Sequence, residues 1–313
     1  MNLLEKATVP TMYFIGVTTT NSSIMKLFPE WAKALDLNEA VLKGIDLEIH
    51  ADPKEYREVV EFIKNDELSL GALVTTHKID LYKAAKDLFD YLDPYAQMFG
   101  ELSSISKRDG ALRGHAKDPI TSRLALERFV PDGYWKEYGG ELLLLGAGGS
   151  AIAISSALLD RQHGDDIPSS VKMTDIDERR LAEAEKIIRK VNPDAKVECR
   201  LATGSEENGR LLEGLKPRSL VVNATGMGKD RPGSPLPDRA RFPQDSLVWE
   251  LNYRGERDFM HQALAQKDER NLHVEDGWIY FLHGWTQVMA EVFDIEIDAE
   301  QFDRIEQLSN KIR

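Results

Sequence analysis

Residues 141–151, ELLLLGAGGSA, constrain this chain more than any other stretch. Leu142, Leu143, Leu144 and Leu145 form a short apolar run without alternation. That is the pattern of a strand buried on both faces of a parallel sheet. Gly146, Gly148 and Gly149 follow, and small and apolar residues then run from 151 to 159. The glycines allow a tight turn and a close approach of backbone N–H groups to a ligand. A helix starting here would aim its amides and the positive end of its dipole at an anion such as a pyrophosphate. The spacing Gly146-x-Gly148-x-x-Ala151 fits the dinucleotide fingerprint with alanine in third place. Gly146, Ala147, Gly148, Gly149 and Ser150 are therefore the candidate pyrophosphate loop.

Strand and helix patterns alternate on both sides of this loop. Before it, residues 11–17, 44–49 and 70–75 read as strands, and 24–35, 54–64 and 79–90 as helices. Residues 102–105 and 111–114 read as a hairpin, because Asp109-Gly110 lies between them. A helix from Asp118-Pro119 to about 129 comes next. After the loop, strands are expected at 171–175, 196–201, 219–222 and 247–251, with helices at 177–191 and 206–215. Helix patterns at 277–293 and 299–312 have no strand partner of their own, so they are expected to return to the first domain. The expected fold class is α/β: an N-terminal α/β substrate domain (1–119 and 276–313) carrying an inserted, Rossmann-type doubly wound parallel sheet (120–275).

Composition narrows the partners. The 313 residues are 42% hydrophobic and 30% charged, with a net charge of −13. That balance suits a soluble globular protein and argues against nucleic acid, and no basic run suggests an anionic membrane. The sole cysteine, Cys199, excludes an intramolecular disulfide and fits a reducing compartment. The start MNLLEKATVP lacks the pattern of a cleavable signal, and a cytoplasmic location is expected. No Cys/His spacing suggests a metal site. The expected partner is a small-molecule substrate, with a homodimer allowed.

Ligands of such sheets sit at the carboxyl ends of strands. Asp175 ends the second strand of the dinucleotide domain, where a carboxylate accepts hydrogen bonds from both adenosine ribose hydroxyls and repels a 2′-phosphate. NAD is thereby favoured over NADP. Capping of the next helix is the competing role for Asp175, and Asp177 competes for either. Lys78 ends the strand–turn ALVTTHK and Asp118 ends the hairpin region. In one cleft, such a pair would transfer a proton: the lysine exchanges it with a substrate oxygen and the carboxylate orients the ammonium.

The chain resembles the shikimate dehydrogenase family along nearly its whole length. Six segments in order carry the resemblance. They are the nucleotide loop at 146–151, Val74-Thr75-Thr76-His77-Lys78, Gly100-Glu101-Leu102-Ser103-Ser104, the stretch from Asp109-Gly110 to Asp118, Val222-Asn223-Ala224-Thr225, and Tyr253 with the later Asp276-Gly277. The resemblance implies catalytic roles for Lys78 and Asp118. It places Asn223, Ala224, Thr225 and Gly277 beside the cofactor, and Ser22, Thr75, Ser103, Tyr253 and Gln287 around substrate.

The departures are informative. The family's paired serines align only at Ser22, its asparagines become Leu73, Ser103 and Ala116, and its late glutamine falls at Gly284, one turn before Gln287. Its phosphate-binding N-R-T is Asp175-Ile176-Asp177 here, in line with NAD. New polar groups, His77, His115, Lys117, Arg254 and His283, stand near the implied site. A site built to hydrogen-bond hydroxyls discriminates strongly when its partners change, so a changed substrate is expected. The reading is an NAD-dependent oxidoreductase acting on a secondary hydroxyl of a small polyhydroxylated ring, a shikimate-like acid or a cyclitol. An NADP-dependent shikimate dehydrogenase and a catalytically silent nucleotide sensor remain as alternatives.

Overall fold

The computed structural model describes residues 4–37, 39–229 and 231–313, so residues 1–3 of the N-terminal stretch read above lie outside them. The chain divides into two compact units: residues up to Lys117 together with Gly284–Arg313, and Asp118–His283.

The first unit is built on six strands: β1 (Thr11–Gly16), β2 (Val41–Asp46), β3 (Ser69–Val74), β4 (Tyr91–Leu92), β5 (Ser104–Arg108) and β6 (Ala111–His115). Their order is β2-β1-β3-β5-β6-β4. The pairs β1–β2, β1–β3 and β4–β6 are parallel, and β5 is antiparallel to both neighbours. Helices α1 (Ile24–Ala34), α2 (Pro53–Asn65), α3 (Lys78–Ala85) and α4 (Pro94–Phe99) connect them. Asp52 caps α2 by accepting from the Lys54 N–H, with Pro53 in the first turn. Asp109 and Gly110 both have positive φ, 52° and 78°, which is the primed turn that joins β5 to β6. β2 starts at Val41 rather than 44, because it pairs with the whole of β1. The pieces β4 and α4 were not expected. Two strand residues and six helical ones are too short to show a period.

The second unit runs α5 (Asp118–Leu126), α6 (Tyr134–Tyr138), β7 (Leu142–Leu145), α7 (Gly149–Leu158), β8 (Val171–Asp175), α8 (Glu178–Val191), β9 (Val197–Leu201), α9 (Ser205–Glu213), β10 (Leu220–Asn223) and β11 (Leu247–Glu250). It continues through α10 (Asp258–Leu264), α11 (Lys267–Arg270), β12 (His273–Glu275) and the first turns of α12 (Trp278–Phe293). All strands are parallel, in the order β12-β11-β10-β7-β8-β9. This is the doubly wound order, and its direction reverses between β7 and β10. All four leucines of β7 are 0% exposed, as a strand covered on both faces requires. Successive side chains point to opposite faces. Leu142 and Leu144 thus join the core with Ile154 of α7 and Ala184 of α8, while Leu143 and Leu145 join Leu212 of α9 and Phe259 of α10.

The division between units falls within α12, after His283, and the first turns of that helix carry aromatic side chains that pack in the second unit. Trp278 and Phe281 lie 5.5 and 4.5 Å from the Tyr253 ring, and Tyr280 lies 5.5 Å from Trp249. The last helix, α13 (Ala299–Asn310), belongs to the first unit. There the indole Nε1 of Trp31 on α1 donates to Ser309 Oγ at 2.9 Å. Trp31 is fully buried. Its truncation to alanine should therefore destabilise the protein by about 3–5 kcal/mol. Ser309→Ala, which removes only the hydrogen bonds, should cost about 1 kcal/mol. Denaturant unfolding of the two variants gives the comparison.

Candidate functional site

In the second unit the glycine turn lies at the point where strand order reverses. The Gly146 N–H donates to the Thr174 carbonyl. Its φ is +103°, and a Cβ there would stand 2.7 Å from the Ala224 carbonyl oxygen, so only glycine fits between β7 and β10. Gly148 differs. It is the N-cap of α7, and a Cβ there would meet nothing within 4 Å. That open side leaves room for a ligand at the head of a ten-residue helix whose first amides have no side-chain cap. Ala147 is buried against the core, while Gly149 and Ser150 are half-buried at the first turn.

Asp175 is at the tip of β8. One carboxylate oxygen accepts from the Ala147 N–H at 2.8 Å and the other from the Asp177 N–H at 3.0 Å. Asp177, not Asp175, caps α8, accepting from the Arg179 N–H, and its carboxyl is held below the usual range first by the Arg179 guanidinium. Asp175 is thus fixed beside the glycine turn.

The tips of β10 and β11 carry a hydrogen-bonded carboxamide–carboxylate group. Asn223 Oδ1 accepts from the Thr225 N–H and hydroxyl, and its Nδ2 donates to Met227 O and to Glu250 Oε2. Glu250 Oε1 accepts from the backbone N–H and the side chain of Asn252. Glu250 is 0% exposed, and burial pushes its carboxyl up to about 7. The sequence reading noted the stretch but not this residue. The available signal was an acid in the otherwise apolar run 247–251, in register with Asn223. Ala224 and Thr225 are half-buried. Gly277 is held by packing: a Cβ would stand 1.9 Å from the Leu251 carbonyl oxygen. Tyr253 sits among Trp278 and Phe281, with the exposed Arg254 guanidinium 5.9 Å from its ring.

The first unit holds most of the remaining residues. Lys78 opens α3 after a strained turn in which Thr76, a β-branched residue, has φ +60°. Thr75 is half-buried and its N–H donates to Ile15 O. The His77 ring turns into the core, 1% exposed, with Nδ1 3.1 Å from the Tyr56 hydroxyl. Ser22 is half-buried behind a short 3₁₀ turn, its N–H on Thr19 O, and Gln287 is half-buried on α12. The Ser103 hydroxyl is buried, accepting from the Lys117 N–H at 2.7 Å and contacting His115 O at 3.4 Å, so it braces the chain after β6. Two of the new polar groups have a protein partner. Lys117 Nζ donates to Glu291 of α12 at 2.7 Å, and His115 Nε2 lies 3.5 Å from the same carboxylate. Ser106 and Arg108 also donate to Glu291, which the sequence reading missed because it is far along the chain. Asp118, 9% exposed, is the first residue of α5 and of the second unit.

Among the described residues no group of three or more His, Cys, Asp or Glu could hold a metal, and no helix is long and apolar enough to cross a membrane. Burial pushes the half-buried Cys199 thiol up to about 11, away from nucleophilic use.

Burial lowers His77, and pushes His115 and His283 down to about 4. Their unfolded forms take up protons first, near 6.5, so each makes the fold less stable as pH falls below about 6.5, for His115 and His283 down to about 4. For His283, Arg128 adds to burial. In His283→Gln the acid-side loss of unfolding free energy should be shallower than in the parent. Urea unfolding at pH 7 and pH 4.5 measures it, and equal losses would contradict the assignment.

No protein-family model matches the chain. Curated relatives do. A shikimate dehydrogenase (NADP(+)) of Lactococcus lactis subsp. cremoris is 27% identical over 238 residues, 74% of this chain and 76% of that protein. One from Methylocella silvestris is 34% identical over 200 residues, 63% of each. Several of the other alignments span about three fifths of the relative's length. Among solved structures, quinate dehydrogenase from Corynebacterium glutamicum in complex with NAD superposes with a TM-score of 0.74 at 18% identity, covering 96% of this chain and 98% of that one. The fold matches that of the shikimate/quinate dehydrogenase structures. In sequence the chain is similar to shikimate dehydrogenases, and in fold to the shikimate and quinate dehydrogenase structures.

Proposed function

We propose that this protein is an NAD(P)-dependent oxidoreductase acting on a secondary hydroxyl of a small polyhydroxylated ring, with NAD as the preferred dinucleotide. The observation that carries this reading is the head of α7: an open glycine face at the switch point of a parallel sheet, with a carboxylate fixed beside it. The residues present fit a dinucleotide. Gly146, Ala147, Gly148, Gly149 and Ser150 would hold its pyrophosphate on backbone amides. Asp175 would accept from the adenosine ribose and oppose a 2′-phosphate. Asn223, Ala224, Thr225 and Gly277 would lie toward the nicotinamide.

When bound, the dinucleotide supplies a hydride acceptor or donor. This chain's residues must then handle the proton of the substrate oxygen. In this reading Lys78 exchanges that proton and Asp118 keeps its ammonium oriented, with Ser22, Thr75, Tyr253 and Gln287 positioning substrate. Ser103 acts on substrate only indirectly, since its hydroxyl holds the Lys117 N–H. His115 and Lys117 are engaged by Glu291, which favours a site with fewer charged contacts to substrate than the sequence suggests.

Lys78→Ala should lower turnover by ~10²–10⁴ with dinucleotide affinity kept, read as NADH formation across a panel of polyols and ring hydroxy acids that includes shikimate and quinate. Near-normal turnover in a folded variant removes Lys78 from the reaction. Binding of NAD without turnover of any panel member by the parent protein would favour a sensor. Asp175→Ala should relax the preference for NAD over NADP, measured as the ratio of kcat/KM values; an unchanged ratio would move the determinant elsewhere.

A further inference from the structure

Glu250 is a buried carboxylate to which the reaction assigns no part. Three donors converge on its two oxygens: Asn223 Nδ2 at 2.8 Å, the Asn252 N–H at 2.9 Å and Asn252 Nδ2 at 2.7 Å. An ionised carboxyl accepts all of them, whereas a protonated one carries a hydrogen on one oxygen and loses part of that capacity. The two asparagines pass the tie onward. Both donate to the Met227 carbonyl, at 3.2 and 2.9 Å, and Asn223 also accepts from Thr225. The Thr225 hydroxyl in turn accepts from the Met227 N–H. The loop after β10 is therefore tied to the tip of β11 by two asparagines, and one acidic side chain holds both of them. From the other side, the Arg257 N–H donates to Gly228 O.

We propose that Glu250 is a positioning residue for the dinucleotide: through Asn223 and Asn252 its carboxylate sets the loop 224–228 that faces the nicotinamide side. The inference rests on the dinucleotide reading above and adds a residue and a pH dependence to it. Burial raises the Glu250 carboxyl to about 7, against the lowering by Asn252, Asn223 and the Arg257 charge. Among the described residues, Arg257, ahead of α10, supplies the charge that lowers this carboxyl, and Asp276, after β12, binds its guanidinium at 3.0 Å. Glu250 consequently changes charge in the neutral range, and the loop is best held above it. A glutamine would aim an N–H₂ at one of the three donors and would not titrate.

The test is NAD affinity by calorimetry from pH 5.5 to 8.5, for the parent protein and Glu250→Gln. Parent affinity is expected to strengthen as pH rises through about 7. The variant should bind about tenfold more weakly at pH 8, the effect of one lost charged hydrogen bond, with no inflection. A role confined to folding would lower the unfolding temperature and leave the inflection in place. Equal affinities and equal profiles overturn the proposal. If the parent binds neither NAD nor NADP at any pH, the dinucleotide reading falls and this inference falls with it; binding by the parent with no difference in the variant removes this inference alone. Should Glu250→Gln not fold, hydrogen exchange in the parent decides. Protection of the 225, 227 and 228 amides should drop as pH falls below 7, and constant protection refutes the tie.

Discussion

The second unit depends on β7 being covered on both faces. Leu142 and Leu144 face one layer of helices, and Leu143 and Leu145 face the other. A strand with no polar face can exist in water only inside such a sandwich, so the helices must alternate above and below the sheet. The chain then has to leave β7 and enter α7 in a few residues, against the neighbouring strand β10. Gly146 makes that turn possible, 2.7 Å from the Ala224 carbonyl if a Cβ were present. The head of α7, Asp175 at the tip of β8 and the Asn223 loop after β10 all lie at the carboxyl end of the sheet that this packing builds.

Around this frame, polar groups divide by whether the fold already uses them. Asp177 is an N-cap and Ser103 a backbone brace. Lys117 and His115 gather on Glu291, a partly buried carboxylate that burial would raise but the Lys117 hydrogen bond and nearby positive charges hold low. Such groups are poor candidates for direct contact with a ligand, since releasing them would leave a charge without its partner. Asp175 is different. Among the described residues its oxygens accept only from backbone N–H groups of the turn and of residue 177, and a carboxylate has acceptor capacity beyond two bonds.

Strain and burial mark the same neighbourhoods. Thr76 holds a left-handed backbone two residues before Lys78, an arrangement a β-branched residue adopts only when its surroundings enforce it. Glu250 keeps an acid at the end of a buried parallel strand. Neither feature helps stability on its own. Both occur in segments that carry the family resemblance or run beside it.

Much of the architecture was legible in the chain itself. The leucine run, the glycine spacing, Asp52-Pro53 before α2 and Asp109-Gly110 between β5 and β6 act through local backbone chemistry, and each element formed where that chemistry put it. The short pieces β4, α4, α6 and α11 escaped, because a helical period shows only over about 11 residues and a strand alternation over about four, and these pieces are shorter than that. Which polar side chains stay available to a ligand was decided only by tertiary structure. Glu291 reaches Lys117 from 174 positions away, and Glu250 reaches Asn223 from 27. Local sequence determines the strand, the turn and the helix end. The pairing of a charge depends on what the fold brings within 3 Å of it, and no window of the sequence contains that distance.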